Sequence, residues 1–505
     1  MRTWQWKKTG KILAAALLAL LLTGCAAVPF PPAPDPAGPG GYRDGVIGEN
    51  KNSGKDSLSG WGPGAAAEDG ILAPDSAFMP APAGKADAYY GGEVVPPGMP
   101  AYEGEMPIPG PGVQSRAGTL SASEQRDTAD LADFQARWQQ ASWKTEAKER
   151  GLYAGNVIPV IVSSGNGKAY GVTVTLKAGG KEIYRAVTDI QGRAFLCYPD
   201  DAGTQFEISA GSQTRTVTVS EREGTISTQF KEETLRYYGC DPVTFEQEGK
   251  KAAQLDLMLM IDTTGSMGDE LEYLKVELKD IVERVQSFNE KFSIRVSVNF
   301  YRDEGDDYVV KYYDFRESVD ECLNFLAAER ATGGGDYPEA VHTALENAVN
   351  GHVWREDAVK LCFMVLDAPP HTEREVQSVN SVILKALKDA AAQGIRLIPV
   401  VCSGSNMDLQ VLMRGGAVMT GGTYLYLTND SGIGYSHEIP DAPQSDVEAL
   451  NECMIRVIRE YCGLPYEPVP YIVPDRPTQA PRPWIDPTVP EPGPAEYPTY
   501  YGMEE

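Results

Sequence analysis

Histidine is scarce in this chain, with four among 505 residues. No His-Glu-x-x-His helix is present, which removes the usual zinc-hydrolase arrangement. Basic residues are also few: 45 Lys and Arg stand against 71 Asp and Glu, a net charge of −26. Nucleic-acid surfaces need clustered cations, so that class of partner is excluded. No glycine fingerprint follows a strand in the way a dinucleotide requires. Ser403-Gly404-Ser405 after Val401 lacks the Gly-x-Ser-x-Gly spacing of a nucleophile loop and any evident His partner. Together these absences speak against an enzyme. No apolar run is long enough to cross a bilayer as a mature helix.

What the chain does have begins with a basic start, Arg2, Lys7, Lys8 and Lys11, and a short apolar core, Ile12 to Leu22. Leu22-Thr23-Gly24-Cys25 follows and resembles a bacterial lipobox. That resemblance implies a signal peptide over 1–24, cleavage before Cys25 and diacylglyceryl attachment to its thiol. The alternative is an ordinary secretory signal with an incidental cysteine. Cys25 leaves seven of the eight cysteines, an odd number that cannot all pair within one chain. Cys362 falls in a predicted core strand and reads as a buried free thiol. Cys453 and Cys462 share one predicted helix too far apart to bond to each other. A bond between Cys240 and Cys462 would close the ends of the domain they flank.

Composition divides the rest. Residues 25–118 are rich in Pro, Gly, Ala and acids without helical or strand periodicity, and read as a disordered spacer. Residues 119–150 carry a polar helical pattern from Ser121-Ala122-Ser123-Glu124, with Leu131, Phe134 and Trp138 at helical spacing and Trp143 beyond. Residues 151–235 alternate in short strands separated by Gly165-Asn166-Gly167, Gly179-Gly180 and Gly211, which predicts a small Ig-like β-sandwich. Its segment Val187-Thr188-Asp189-Ile190-Gln191-Gly192-Arg193-Ala194 is similar to the Thr-Asp-x-x-Gly turn of carboxypeptidase-regulatory-like β-sandwiches. That likeness implies a structural role, as a stalk or presentation module. Residues 250–463 alternate strand and helix, which predicts an α/β domain with a doubly wound, mostly parallel, Rossmann-like sheet. Residues 464–505 return to proline and read as a disordered tail.

The chemistry gathers at the end of the buried run Leu255 to Ile261. Asp262-Thr263-Thr264-Gly265-Ser266 presents one carboxylate and two hydroxyls at alternate positions, a wall of hard oxygen donors. Without nitrogen or sulfur, magnesium, manganese or calcium is favoured over zinc or copper. Asp367 ends the strand Val359–Leu366 and would meet Asp262 if the two strands are neighbours. Asp336 lies in Thr332-Gly333-Gly334-Gly335-Asp336-Tyr337-Pro338-Glu339. Plainer roles compete: Asp262 or Ser266 could cap the following helix, and Asp336 with Glu339 fits a capping box for a helix over 337–350. Asp303, with Glu304, Asp306 and Asp307, reads as a solvated loop, with a second cation site as the alternative. His371 reads as a loop residue rather than a ligand.

Taken together, Asp262, Thr264 and Ser266 with Asp367 resemble the metal-ion-dependent adhesion site of a von Willebrand factor type A domain. The Gly-Gly-Gly-Asp-x-Pro-Glu string, with Tyr301-Arg302-Asp303 upstream, is similar to a bacterial and hemicentin-like branch. Aligning the following helix puts Asp336 where the family usually has a Thr, with Thr332 four residues earlier as the other candidate. The resemblance implies a divalent cation, magnesium first. It also implies an open coordination position that takes an acidic group of a protein or surface-polymer partner. A lipid-anchored, extracytoplasmic adhesion protein is the expectation. The alternative is an envelope scaffold in which the metal only stabilises the loops.

Overall fold

The computed structural model describes residues 42–48, 116–165, 167–227, 232–335, 337–434, 437 and 447–472. The predicted signal peptide, Cys25, most of the spacer, Asp336 and the tail beyond 472 lie outside the described residues. Within the compact unit Asp44–Glu505, a nine-stranded sheet runs in the order Gly45–Ile47, Val310–Tyr312, Ser293–Tyr301, Gln254–Asp262, Val359–Leu366, Ile395–Val401, Tyr424–Leu427, Ser121–Gln125 and Glu448–Ala449. The five strands from Ser293–Tyr301 to Tyr424–Leu427 are parallel. Those added at either edge are antiparallel.

The central strands are apolar because both faces are covered. Alternation assigns each face. Leu255, Leu257, Leu259 and Ile261 join Leu361, Phe363 and Val365 in one core, beneath the helices Leu271–Val285, Val319–Ala328 and Leu450–Cys462. Met258, Met260, Cys362, Met364 and Leu366 join the other, beneath Val341–Asn350, Val379–Gln393 and Met407–Thr420. That second core continues outward into Val160, Val174, Tyr184 and Phe206 of the smaller sheets. The order of connection reverses between Gln254–Asp262 and Val359–Leu366, the switch point where an open α/β sheet binds its ligands.

Residues 157–246 hold two four-stranded sheets. One contains Val157–Ser164, Gly167–Lys168, Arg193–Cys197 and Val243–Glu246; the other contains Thr173–Ala178, Lys181–Val187, Gln205–Ala210 and Gln213–Thr218. Val243–Glu246 lies past the expected boundary at 235. Ser220–Ser227 and Glu232–Gly239 form a separate hairpin. The Tyr184 hydroxyl donates to the Met419 carbonyl at 2.7 Å, and Arg396 donates to the Val187 carbonyl at 2.7 Å, fastening these sheets to the large domain.

Three sequence expectations are corrected. Ser121–Gln125 is a strand, not the start of a helix; it pairs with Tyr424–Leu427, and Leu120 and Ala122 are fully buried. The Glu277 carboxylate accepts from the backbone N–H of Gly118, Thr119 and Leu120, which fixes the entry of this strand. The helical pattern after it divides into Leu131–Arg137 and Ala141–Glu149, with Phe134, Trp138 and Trp143 packed edge to face or tilted. Gly45–Ile47, inside the expected spacer, is an edge strand on Val310–Tyr312. Cys240 and Cys462 are free thiols, as are the other described cysteines; the two pack against opposite cores.

Candidate metal centre

Gln254–Asp262 pairs with Val359–Leu366 in parallel, Ile261 opposite Val365. Asp262 and Asp367 therefore leave the carboxyl ends of adjacent strands. Neither Asp262 nor Ser266 caps a helix. Asp262 is fully buried, and its Oδ1 accepts from the Thr264 N–H at 2.8 Å and the Thr264 hydroxyl at 2.6 Å. The Thr264 and Ser266 hydroxyls stand 3.3 Å apart. A short 3-10 turn, Gly265–Asp269, then leads into Leu271–Val285, and no side chain caps either element. Asp262 and Thr264 are buried while Gly265 and Ser266 are exposed, so the loop opens to solvent on one side.

The second loop lies against the first. Gly265 N–H donates to the Gly333 carbonyl at 3.1 Å, and Thr332 N–H to the Thr263 carbonyl at 3.0 Å. The Thr332 side chain is exposed, so its backbone is what it gives to this contact. Gly333 has φ +85°, and a Cβ there would fall 2.4 Å from an Asp306 carboxylate oxygen. That carboxylate accepts from the Gly334 N–H at 2.8 Å and the Asp303 N–H at 3.2 Å. Gly333 is thus required for this close approach.

The capping box is also absent. The helix begins at Val341, with Ala340 at its N-cap and no side-chain cap bond. Glu339 instead pairs with the Asp367 loop: its N–H donates to the Pro369 carbonyl at 2.9 Å, and it bridges Pro370. Asp303 is not part of a solvated surface. It is buried, with Oδ1 2.6 Å from Nε2 of the equally buried His371. Its neighbours Glu304 and Asp307 are exposed. Glu270, unremarked in the sequence, is 1 % exposed and receives the Ser403 N–H at 3.3 Å; His437 Nε2 lies 2.9 Å from it.

The electrostatics are those of crowded acids. Burial raises the Asp262 pKa to about 6, held down by its Thr264 bonds and pushed up by Asp303. Burial, then the charge of Asp262, lifts Asp367 well above the carboxylate range, with Ser266 opposing. Burial, then the charges of Asp262, Asp303, Asp367 and Asp306, pushes Glu339 to about 10. Asp262 Oδ2, Asp367 Oδ1 and Glu339 Oε2 are buried without a hydrogen-bond partner. Orphaned buried oxygens are costly, and a hard cation would relieve that cost. Among the described residues no three His, Cys, Asp or Glu side chains gather as a ready-made metal cluster. The fit rests instead on two carboxylates and two hydroxyls at a strand-to-helix switch point.

A mostly parallel sheet with acids and hydroxyls at its switch point defines a class of α/β domain. Residues 256–390 match the von Willebrand factor A domain family, so a domain of that kind is present there. An ariadne-like RING finger protein, R811, of Acanthamoeba polyphaga mimivirus is 28 % identical over 188 residues, 35 % of this chain and 18 % of that protein. Alpha-protein kinase vwkA of Dictyostelium discoideum is 29 % identical over 121 residues, 23 % of this chain and 19 % of the kinase. The chain thus spans less than a fifth of each relative. The crystal structure of conserved hypothetical protein BatB from Bacteroides thetaiotaomicron aligns with 12 % identity and a TM-score of 0.29, covering 41 % of this chain and 99 % of that one.

Proposed function

We propose that this chain is a lipid-anchored extracytoplasmic protein that binds a protein or surface polymer through a divalent cation. Asp262, Thr264, Ser266 and Asp367 would hold the ion, with Asp336 the further acid from the sequence. Magnesium is the first candidate, then manganese or calcium. The bound cation supplies a Lewis-acidic position for an oxygen group of the partner. The observation that carries this reading is the pair of buried, unpartnered oxygens, Asp262 Oδ2 and Asp367 Oδ1, beside the exposed Ser266. Thr264 orients Asp262 by taking up Oδ1 and leaving Oδ2 free. The lipobox-like Leu22-Thr23-Gly24-Cys25 is the basis for the anchor. The two small sheets would serve as a presentation module.

A scaffold reading draws on the core shared between the small sheets and the large domain. In that case the ion would stabilise loops without a partner. Magnesium and manganese calorimetry on the full chain, beside Asp262→Ala, decides the first point. Saturable binding lost in the variant supports the centre; no binding by wild type removes it. A partner captured with magnesium and released by chelator favours adhesion over scaffold.

A further inference from the structure

Lys360 and Arg396 are buried cations, 6 % and 5 % exposed. They stand near the amino ends of the neighbouring strands Val359–Leu366 and Ile395–Val401, one register step apart: Lys360 lies opposite Ile395, and Leu361 opposite Arg396. Asp367 leaves the other end of the first of these strands. Both cations line one cavity of about 300 Å3 between the large sheet and the small ones, with Tyr170, Trp354 and Tyr461 also in its walls. Their partners are backbone carbonyls. Lys360 Nζ donates to Gln393 at 2.6 Å, and Arg396 donates to Thr420 and to Val187, both at 2.7 Å. That spends one of three N–H groups on the lysine and two of five on the arginine. Among the described residues neither forms an ion pair with a carboxylate.

The acids nearby are committed elsewhere. Asp256, opposite Lys360 in the strand pairing, accepts from Arg295 and Arg355. Asp189, on the cavity wall, takes up Arg193 and two backbone N–H groups. Glu356 and Asp357 share Lys250 and are exposed, so water screens them. The buried part of the wall is therefore positive, in a chain whose net charge is −26. Burial lowers the Lys360 pKa to about 8, against Asp256 and together with Lys250 and Arg396. Buried charges are ordinarily paired, and an anion from solution would pair both of these.

We propose that this cavity binds a small phosphate-type oxyanion between the Arg396 guanidinium and the Lys360 ammonium. A planar guanidinium fork beside an ammonium suits the several oxygens of a phosphate. The volume lies at the lower end of small-molecule pockets, with room for free phosphate or a small phosphate monoester. The site is separate from the metal centre and does not rest on it.

The test uses the full chain without magnesium, as wild type, Lys360→Met, Arg396→Met and Asp262→Ala. Inorganic phosphate, glycerol 3-phosphate and acetate are titrated by calorimetry at constant ionic strength, and thermal melts are run beside them. Wild type should bind phosphate saturably and melt higher with it. Lys360→Met and Arg396→Met should each weaken that binding by roughly tenfold or more. Asp262→Ala should bind as wild type does, and acetate more weakly than phosphate. Tighter binding of glycerol 3-phosphate than of phosphate assigns the site to a monoester; the reverse assigns it to the free ion. Wild type without saturable phosphate binding overturns the site, whether or not the variants fold. Equal binding by wild type and both folded Met variants, or loss of binding in Asp262→Ala, places the anion elsewhere and overturns it too. Acetate bound as tightly as phosphate overturns the phosphate assignment.

Discussion

His371 Nε2 lies 2.6 Å from Asp303 Oδ1, with both side chains buried. The contact joins the loop after Ser293–Tyr301 to the loop after Val359–Leu366, on either side of Asp262. Replacing His371 by Ala leaves a buried carboxylate without this partner, at a cost of about 1–3 kcal/mol. Urea denaturation should show that loss. An unchanged midpoint would mean that the two loops are held by other bonds.

A second acid tests stability away from the centre. Asp256, fully buried near the opposite end of the same strand, accepts from both Arg295 and Arg355. Asp256→Ala removes the carboxylate partner of both guanidinium groups, which keep only backbone-carbonyl and Ser293 acceptors, and should cost about 3–5 kcal/mol. Magnesium affinity of the folded fraction should not change. A parallel loss of affinity would show that the two ends of the strand are coupled.

His342 supplies a pH dependence. Burial lowers its pKa from 6.5 to about 4, with His371 and Arg150 acting in the same direction. The unfolded chain takes up its proton near pH 6.5; the folded chain does so only near 4. Folding stability should therefore fall as pH drops from 6.5 to 4, by less than the roughly 3 kcal/mol that the whole shift would give, because solvent screens part of it. His342→Gln should flatten that part of the profile, measured by denaturant titration at half-unit pH steps. An identical slope in the variant would place the titration elsewhere.

Gly192 closes the turn read from the sequence as Thr-Asp-x-x-Gly. Asp189 Oδ1 accepts from the N–H groups of Gln191 and Arg193, both at 2.8 Å. Gly192 has φ +72°, and a Cβ there would fall 2.2 Å from the Val162 carbonyl oxygen. Gly192→Ala should cost at least about 2 kcal/mol through the backbone alone. A thermal melt within a degree of wild type would contradict the close approach.

Magnesium should raise thermal stability if the centre binds it. At one hundred times its Kd the gain is about 2.7 kcal/mol. Chelator should reverse the gain, and Asp262→Ala should abolish it. A melting temperature indifferent to magnesium and chelator would argue against a site on the native state.

Local pattern was enough for the central strands and for where their acids stand. Leu255 to Ile261 and Val359 to Leu366 are continuous apolar runs because both faces of a parallel strand are covered. The residue after each run, Asp262 or Asp367, must then emerge at the carboxyl end. The edges were not legible. Ser121–Gln125 is short and polar, and its partner Tyr424–Leu427 lies some three hundred residues away. Gly45–Ile47 has three residues, held by backbone pairing rather than by side-chain alternation.

By itself, the sequence determined the class of domain and the oxygen donors that end its central strands, because strand burial and donor chemistry are written residue by residue. Tertiary structure decided which acids are buried and what they face. Glu339 fits a helix cap by spacing, and Asp303 fits a solvated loop by composition. Only the docking of separate loops over the switch point buried the first against the Asp367 loop and placed the second against His371. Burial and charge proximity are set by contacts between distant segments, and those leave no periodic trace along the chain.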